Sequence, residues 1–341
     1  MSADPVAVSQ GTAPATAPAA PLLAVLGLRT HFFTKAGVVK AVDDVSFTLA
    51  AGEVLGLVGE SGSGKSMTGY SLMGLIDPPG RVVEGSIRLK GQELTTLPAE
   101  KMRALRGDRL AMIFQDPMMT LNPVLRIDHQ MTEAILAHRD VGRAAALARA
   151  REALVRVGIA SPDARLKAYP HQFSGGMRQR VAIAIALLNE PDVIIADEPT
   201  TALDVTIQGQ ILYEVQKLAR ETGTALIWIT HDLSVIAGLA DRIFVMYAGK
   251  IVEEGTTEDV IDHPAHPYTR GLLDSVPSRN PYGQRLKQIP GMTPSLIALP
   301  RGCAFRERCA RADAMCEAMP EMTAAPSGRA GHVMRCFHPL A

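Results

Sequence analysis

The sequence has no cysteine before Cys303, no apolar run long enough to span a membrane and no surplus of either charge. Each absence excludes something. A bilayer crossing needs about 20 consecutive apolar residues; residues 181–188 are among the longest apolar runs here and read as a buried helix instead. Lys and Arg total 35, as do Asp and Glu, so no net field draws the chain to nucleic acid or anionic lipid. The N-terminal segment, residues 1–21, is rich in Ala, Pro, Ser and Thr and lacks both a basic start and a compact apolar core. It reads as a disordered tail rather than a secretory signal. The expected compartment is then the cytoplasm, where structural disulfides are disfavoured.

What is present is an ordinary globular composition, 47% hydrophobic and 21% charged, in 341 residues, room for one large domain and a smaller one. From 22 to about 255, short apolar runs alternate with stretches of helical spacing, which predicts an α/β fold with a largely parallel central sheet. Residues 54–58 form a buried strand feeding a Gly/Ser loop, and residues 66–75 then have helical spacing. Further core strands are expected at 110–114, 193–196 and 225–230. A helix at 143–157, with 117–142 and 161–173, makes a mostly helical insert. Residues 242–254 read as a hairpin turning at Ala248-Gly249-Lys250. Beyond Asp262 the texture shifts to Pro, Gly, His and Arg with little periodicity, which predicts a boundary between a domain at 22–260 (insert about 116–176) and an extension at 261–341.

The strand–loop–helix at Gly59-Glu60-Ser61-Gly62-Ser63-Gly64-Lys65-Ser66 matches the phosphate-binding pattern G-x-x-x-x-G-K-[ST], with chance odds of about 1 in 100 from average residue usage. Its backbone N–H groups would wrap phosphates, Lys65 would reach the β- and γ-phosphates and Ser66 would ligate Mg²⁺. Asp197 and Glu198 end an apolar strand, which is costly unless they face charge. Asp197 is expected on Mg²⁺, and Glu198 as the general base or the group that positions the attacking water. Gln115 follows another strand, where its amide can touch both metal and water; His231 follows a third, where an imidazole can sense the γ-phosphate. Ser174-Gly175-Gly176 opens an apolar helix, a second anion site: Ser174 caps, and the glycines let a phosphate approach. Stacking on adenine is assigned to Phe32, with Phe33 as the alternative.

The order of these motifs resembles the ATPase subunits of ATP-binding-cassette (ABC) transporters: phosphate loop at 59–66, Gln115, Ser174-Gly175-Gly176, Asp197-Glu198, Ala202-Leu203-Asp204, His231. The resemblance covers roughly 22–255. It implies a P-loop cassette (a RecA-like core with an antiparallel β subdomain and a helical insert), ATP with Mg²⁺, and Asp204 near the nucleotide. It also implies that the Ser-Gly-Gly turn serves the ATP held by a second ATPase subunit. Residues 114–123 (Phe-Gln-Asp-Pro-Met-Met-Thr-Leu-Asn-Pro), 263–269 (His-Pro-Ala-His-Pro-Tyr-Thr) and 289–296 (Ile-Pro-Gly-Met-Thr-Pro-Ser-Leu) resemble the oligopeptide/dipeptide/nickel importer branch. In such importers two ATPase subunits, often non-identical, drive two membrane permeases from the cytoplasmic face of the membrane, and an extracytoplasmic binding protein delivers cargo. Residues 116–125 are expected to meet the permeases. Cargo stays open among dipeptides, longer peptides, nickel and peptide-like antibiotics. A non-transport ABC ATPase acting on DNA or ribosomes is the rival reading; one cassette and zero net charge count against it.

Phe173 and Met177 depart from the commonest signature text, which has Leu and Gln there. Met177 removes a bond to the partner nucleotide's ribose, at a cost of about 1 kcal/mol. Cys303, Cys309, Cys316 and Cys336 lack the C-x₂₋₄-C pair usual for structural zinc. The importer resemblance implies a [4Fe–4S] cluster on these four thiolates, with zinc and free or disulfide-forming thiols as alternatives. A redox-sensing role for the cysteine tail would be compatible with transport. Arg306, Arg308 and Arg311 would offset cluster charge or form a solvated basic face.

Overall fold

A computed structural model of the chain describes residues 20–200, 205–280, 283 and 287–340. The expected tail at 1–21 lies almost wholly outside the described residues. The chain opens with an antiparallel pair, β1 (Leu23–Thr34) and β2 (Gly37–Leu49), before the first parallel strand, β3 (Val54–Val58). After α1 (Lys65–Leu72), strands β4 (Gly80–Leu89) and β5 (Gln92–Glu93) return to β1, giving a four-stranded antiparallel sheet ordered β2-β1-β4-β5. Then come α2 (Ala99–Leu105), β6 (Leu110–Ile113), the insert helices α3 (Ile127–Leu136), α4 (Arg143–Arg156) and α5 (Pro162–Leu166), and α6 (Gly175–Leu187). In α4, Ala146, Ala150 and Leu154 recur every fourth residue and supply its buried stripe.

Strands β7 (Val193–Asp197), β8 (Ala225–Thr230) and β9 (Arg242–Tyr247), with α7 (Val205–Thr222) and α8 (Leu233–Ala237), complete the core. β9, β3, β8, β7 and β6 are adjacent and parallel in that order. Every residue of β3, β6, β7 and β8 is buried. Strands covered on both faces must be apolar throughout, which is why these read as unbroken hydrophobic runs. Their side chains alternate between two cores. Leu55, Ile195 and Ile227 pack with Leu23, Val25 and Ile87 of the antiparallel sheet. Val54, Ile194 and Leu226 pack with Ile135, Leu154 and Val181 of the helical side. Each such buried aliphatic side chain contributes about 1.5–3 kcal/mol. Because the strands run parallel, the loops after β3, β6, β7 and β8 emerge along one edge, where ligands of such sheets bind.

The hairpin from β9 to β10 (Lys250–Thr256) turns through Ala248 and Gly249, both at positive φ (48° and 84°), as a tight hairpin requires. Past the expected boundary, α9 (Thr257–Asp262) and α10 (Pro267–Asp274) precede β11 (Thr323–Ala324) and β12 (Val333–Met334). β12 pairs with β10 and β11 with β12, so the extension adds two strands to the cassette's own sheet. The stitch has a physical cause. Glu253 of β10 is fully buried and needs donors, and the extension provides them: the N–H groups of Ala265 (2.6 Å) and His266 (2.9 Å) and the Nε2 of His332 (2.9 Å).

Candidate functional site

The loop after β3 is shaped by contacts that only glycine allows. A Cβ on Gly64 (φ 106°) would lie 2.1 Å from the carbonyl oxygen of Ala41, and one on Gly59 2.2 Å from that of Met246. Lys65 is 5% exposed; its Nζ donates to the carbonyls of Gly59 (2.8 Å) and Glu60 (2.9 Å). Burial lowers its pKa, opposed by the nearby charges of Glu198, Asp197 and Glu60. Among the described residues no side chain caps α1, which begins at Lys65, and the buried hydroxyl of Ser63 has no partner. This uncapped helix start, the buried Ser63 hydroxyl and a backbone with no room for a Cβ at positions 59 and 64 fit a bound phosphate. Of the remaining contacts assigned here, Ser61 is exposed and Gly62 takes a positive φ of 78°.

Asp197 closes β7, buried, and accepts from the Ser66 hydroxyl at 3.0 Å. Burial raises its pKa against the pull of that bond, and the Glu198 charge adds to the rise. Glu198 sits at φ 45°, strained for a residue with a side chain, while its N–H donates to Ile229 at 2.9 Å. Its carboxylate receives Gln115 Nε2 at 3.2 Å and lies 3.1 Å from His231 Nδ1. Three strand ends thus bring Gln115, Glu198 and His231 together beside the Ser66–Asp197 pair. Ser66, Asp197 and Gln115 are hard oxygen donors, the set that suits Mg²⁺.

Ser174 is exposed and caps α6, its Oγ accepting from the N–H of Met177 at 3.3 Å. A Cβ on Gly175 would meet nothing within 4 Å; Gly176 is half-buried. Phe173 is buried beneath the Arg165 guanidinium. Phe32 is half-buried, its ring packed on the backbone of Gly80, whereas Phe33 is exposed under Arg81, 4.5 Å from ring centroid to guanidinium carbon. Asp204 falls outside the described residues.

Cys303, Cys309, Cys316 and Cys336 line one small cavity, and none is in a disulfide. Burial raises the thiol pKa values of Cys303, Cys309 and Cys336, the last to about 11, and neighbouring sulfurs add to each. The N–H groups of Arg311 and His338 point at the sulfurs of Cys309 (3.4 Å) and Cys336 (3.3 Å). Convergent thiols with N–H donors aimed at sulfur fit a thiolate-bound metal group. Among the described residues, Asp313, Cys316 and His338 are the one set of three metal-capable donors with all ligand atoms within 4.8 Å.

One part of the site escaped the sequence reading. Glu60, a variable position of the loop pattern, is gripped by the extension. Arg308 donates to both its oxygens (Nη1 to Oε2 at 2.6 Å, Nη2 to Oε1 at 2.9 Å). Thr293 donates to Oε2 at 3.2 Å, and the Glu60 N–H donates to the Tyr268 hydroxyl at 2.8 Å. Arg308 is therefore not a solvated residue: it is buried and its guanidinium is paired with Glu60. Arg311 is exposed.

Residues 42–201 match the ABC transporter family, and residues 252–316 match the oligopeptide/dipeptide transporter C-terminal region. The oligopeptide transport ATP-binding protein OppD of Salmonella typhimurium is 47% identical over 98% of this chain and 99% of its own. The dipeptide transport ATP-binding protein DppD of Bacillus subtilis is 50% identical over 87% of this chain and 89% of its own. Among solved structures, the dimeric ATP-binding cassette MJ0796 bound to ADP and Pi superposes with a TM-score of 0.64. It is 26% identical and covers 69% of this chain and 98% of its own. This chain belongs to the ATP-binding subunits of ABC transporters, in the group that carries the oligopeptide/dipeptide transporter C-terminal region.

Proposed function

We propose that the chain is the ATP-hydrolysing subunit of an importer for dipeptides and oligopeptides. The convergence of Gln115, Glu198 and His231 beside the phosphate loop carries the reading. A water held by Glu198 attacks the γ-phosphorus of ATP, Glu198 takes its proton, and the bond to the bridging oxygen breaks to give ADP and phosphate. Lys65 and the 59–64 backbone hold the phosphates, His231 senses the γ-phosphate, and Phe32 stacks on adenine. Mg²⁺, held by Ser66, Asp197 and Gln115, would neutralise charge building on the β- and γ-phosphates.

Ser174, Gly175 and Gly176 serve the ATP of a second ATPase subunit, which we take to be a non-identical paralogue. The exposure of Ser174, the open space around Gly175 and the dimeric state of the MJ0796 cassette support a second subunit there. Two permeases dock on residues 116–125, where Met119 and Val124 are 68% and 74% exposed, and hold the chain at the cytoplasmic face of the membrane. Among the described residues no helix is long and apolar enough to cross a membrane. The names of the OppD and DppD relatives support peptide cargo, delivered by an extracytoplasmic binding protein. Zero net charge gives no support to a nucleic-acid partner.

We assign the four cysteines to a [4Fe–4S] cluster; their shared cavity and the N–H groups aimed at sulfur support it. Zinc is the second reading, favoured by the Asp313, Cys316 and His338 set. Iron and sulfide analysis of anaerobically purified protein separates the two. The main test is Glu198→Gln. ATP should still bind while hydrolysis slows by about a hundredfold or more, and near-normal turnover would overturn the assignment of the base.

A further inference from the structure

The phosphate loop contains its own carboxylate. Glu60 lies within a loop whose ligand carries several negative charges, and its charge acts on Lys65, the cation meant for that ligand. An unrestrained carboxylate here would compete with phosphate for Lys65 and repel the phosphate itself. The extension holds it. The Arg308 side chain is 5% exposed, and its guanidinium is fixed on every side. Besides Glu60 it meets the Pro290 carbonyl (Nε, 2.8 Å) and the Tyr247 hydroxyl (Nη1, 3.3 Å). Tyr247 packs edge to face on Tyr268 and Phe305, which are tilted against each other, with ring centroids 4.6–5.3 Å apart. The partners of Glu60 lie 208, 233 and 248 residues further along the chain, at Tyr268, Thr293 and Arg308.

We propose that the C-terminal extension completes the nucleotide site. Tyr268, Thr293 and Arg308 hold Glu60 away from Lys65 and from the phosphates, which makes Arg308 a positioning residue for ATP binding. The proposal rests on the reading of residues 59–66 as the ATP phosphate site. A bidentate guanidinium restrains both oxygens of a carboxylate, which an ammonium does less well. Once Arg308 is removed, Lys65 is, among the described residues, the cation whose charge acts on Glu60.

The test measures ATP affinity by calorimetry on the full chain, and KM and kcat on the chain assembled with its permeases. Arg308→Met should weaken ATP binding and raise KM by about tenfold while kcat stays within about threefold. Arg308→Lys should fall between. Glu60→Gln in the Arg308→Met background should return affinity to within about threefold of wild type, because the harmful charge has gone; a purely structural role predicts no such rescue. Wild-type affinity in Arg308→Met, or no rescue by Glu60→Gln, would overturn the proposal. If Arg308→Met does not fold, Arg308→Lys with and without Glu60→Gln gives the same comparison. Lys65→Ala keeps the two readings apart: wild-type ATP affinity in that variant would overturn the phosphate-site reading itself.

Discussion

The starts of α1 and α6, both proposed above as phosphate sites, are built in opposite ways. At α1 the loop is closed in by its own chain: Gly59 and Gly64 touch distant carbonyls, Lys65 is buried and Ser66 is tied to Asp197. At α6, Ser174 is exposed and Gly175 faces open space. Both use helix N–H groups and the helix dipole. They differ in who completes them. The first is finished by folding, so its residues matter for stability and affinity together. The second, in the function proposed above, is finished by a neighbour, so its residues can change without disturbing the fold.

Substitutions can break this contrast. Gly64→Ala should have the largest effect: the Ala41 carbonyl and the positive φ leave no room, so about 3 kcal/mol or more of stability should go, with ATP binding, in a denaturant titration. Gly175→Asp should act the other way. An acidic residue in the first turn suits α6, so the melting temperature and ATP binding of the isolated chain should hold. Hydrolysis by the assembled transporter should still fall on the order of a hundredfold, because the charge faces the neighbour's γ-phosphate. A loss of folding in that variant would end the contrast.

Smaller effects sharpen it. Burial keeps Asp197 protonated to higher pH in the fold than in the unfolded chain. Its contribution to stability is therefore full below the usual aspartate range and is lost as pH rises through the raised value. Asp197→Asn should raise the melting temperature of the nucleotide-free chain by a few degrees at neutral pH, and the gain should vanish towards the usual aspartate range. A gain that ignored pH would remove burial as the cause. Met177→Gln should matter least, lowering the KM of the assembled transporter roughly fivefold by one added hydrogen bond of about 1 kcal/mol.

These two sites were also unequally legible in the sequence. The parallel strands showed as apolar runs because both faces are covered, and the glycine–lysine spacing located the loop between β3 and α1. Gln115 and His231 each follow such a strand, but it was their order among the other motifs, that of the ABC family, that placed them. What the extension does to the loop could not be read. Glu60 stands at a position where the pattern accepts any residue, and Arg308 sat among arginines that read equally as counter-charges for the cysteine cluster or as a solvated basic face. The fully buried Glu253 gave no signal either, since its donors come from residues 265, 266 and 332. Periodicity reports which face an element buries; it carries no information about which distant side chain meets another.

The Arg308–Glu60 pair also has a consequence in time. Translation proceeds from the N-terminus at about 5–20 residues per second, so the 248 residues between the two take on the order of 12–50 s to make. Through that interval the newly made loop carries its carboxylate without the guanidinium; β10, once made, likewise waits as a sheet edge for the later β12. On the proposal above, the phosphate loop thus reaches its finished form only after Arg308, 248 residues later, has been made.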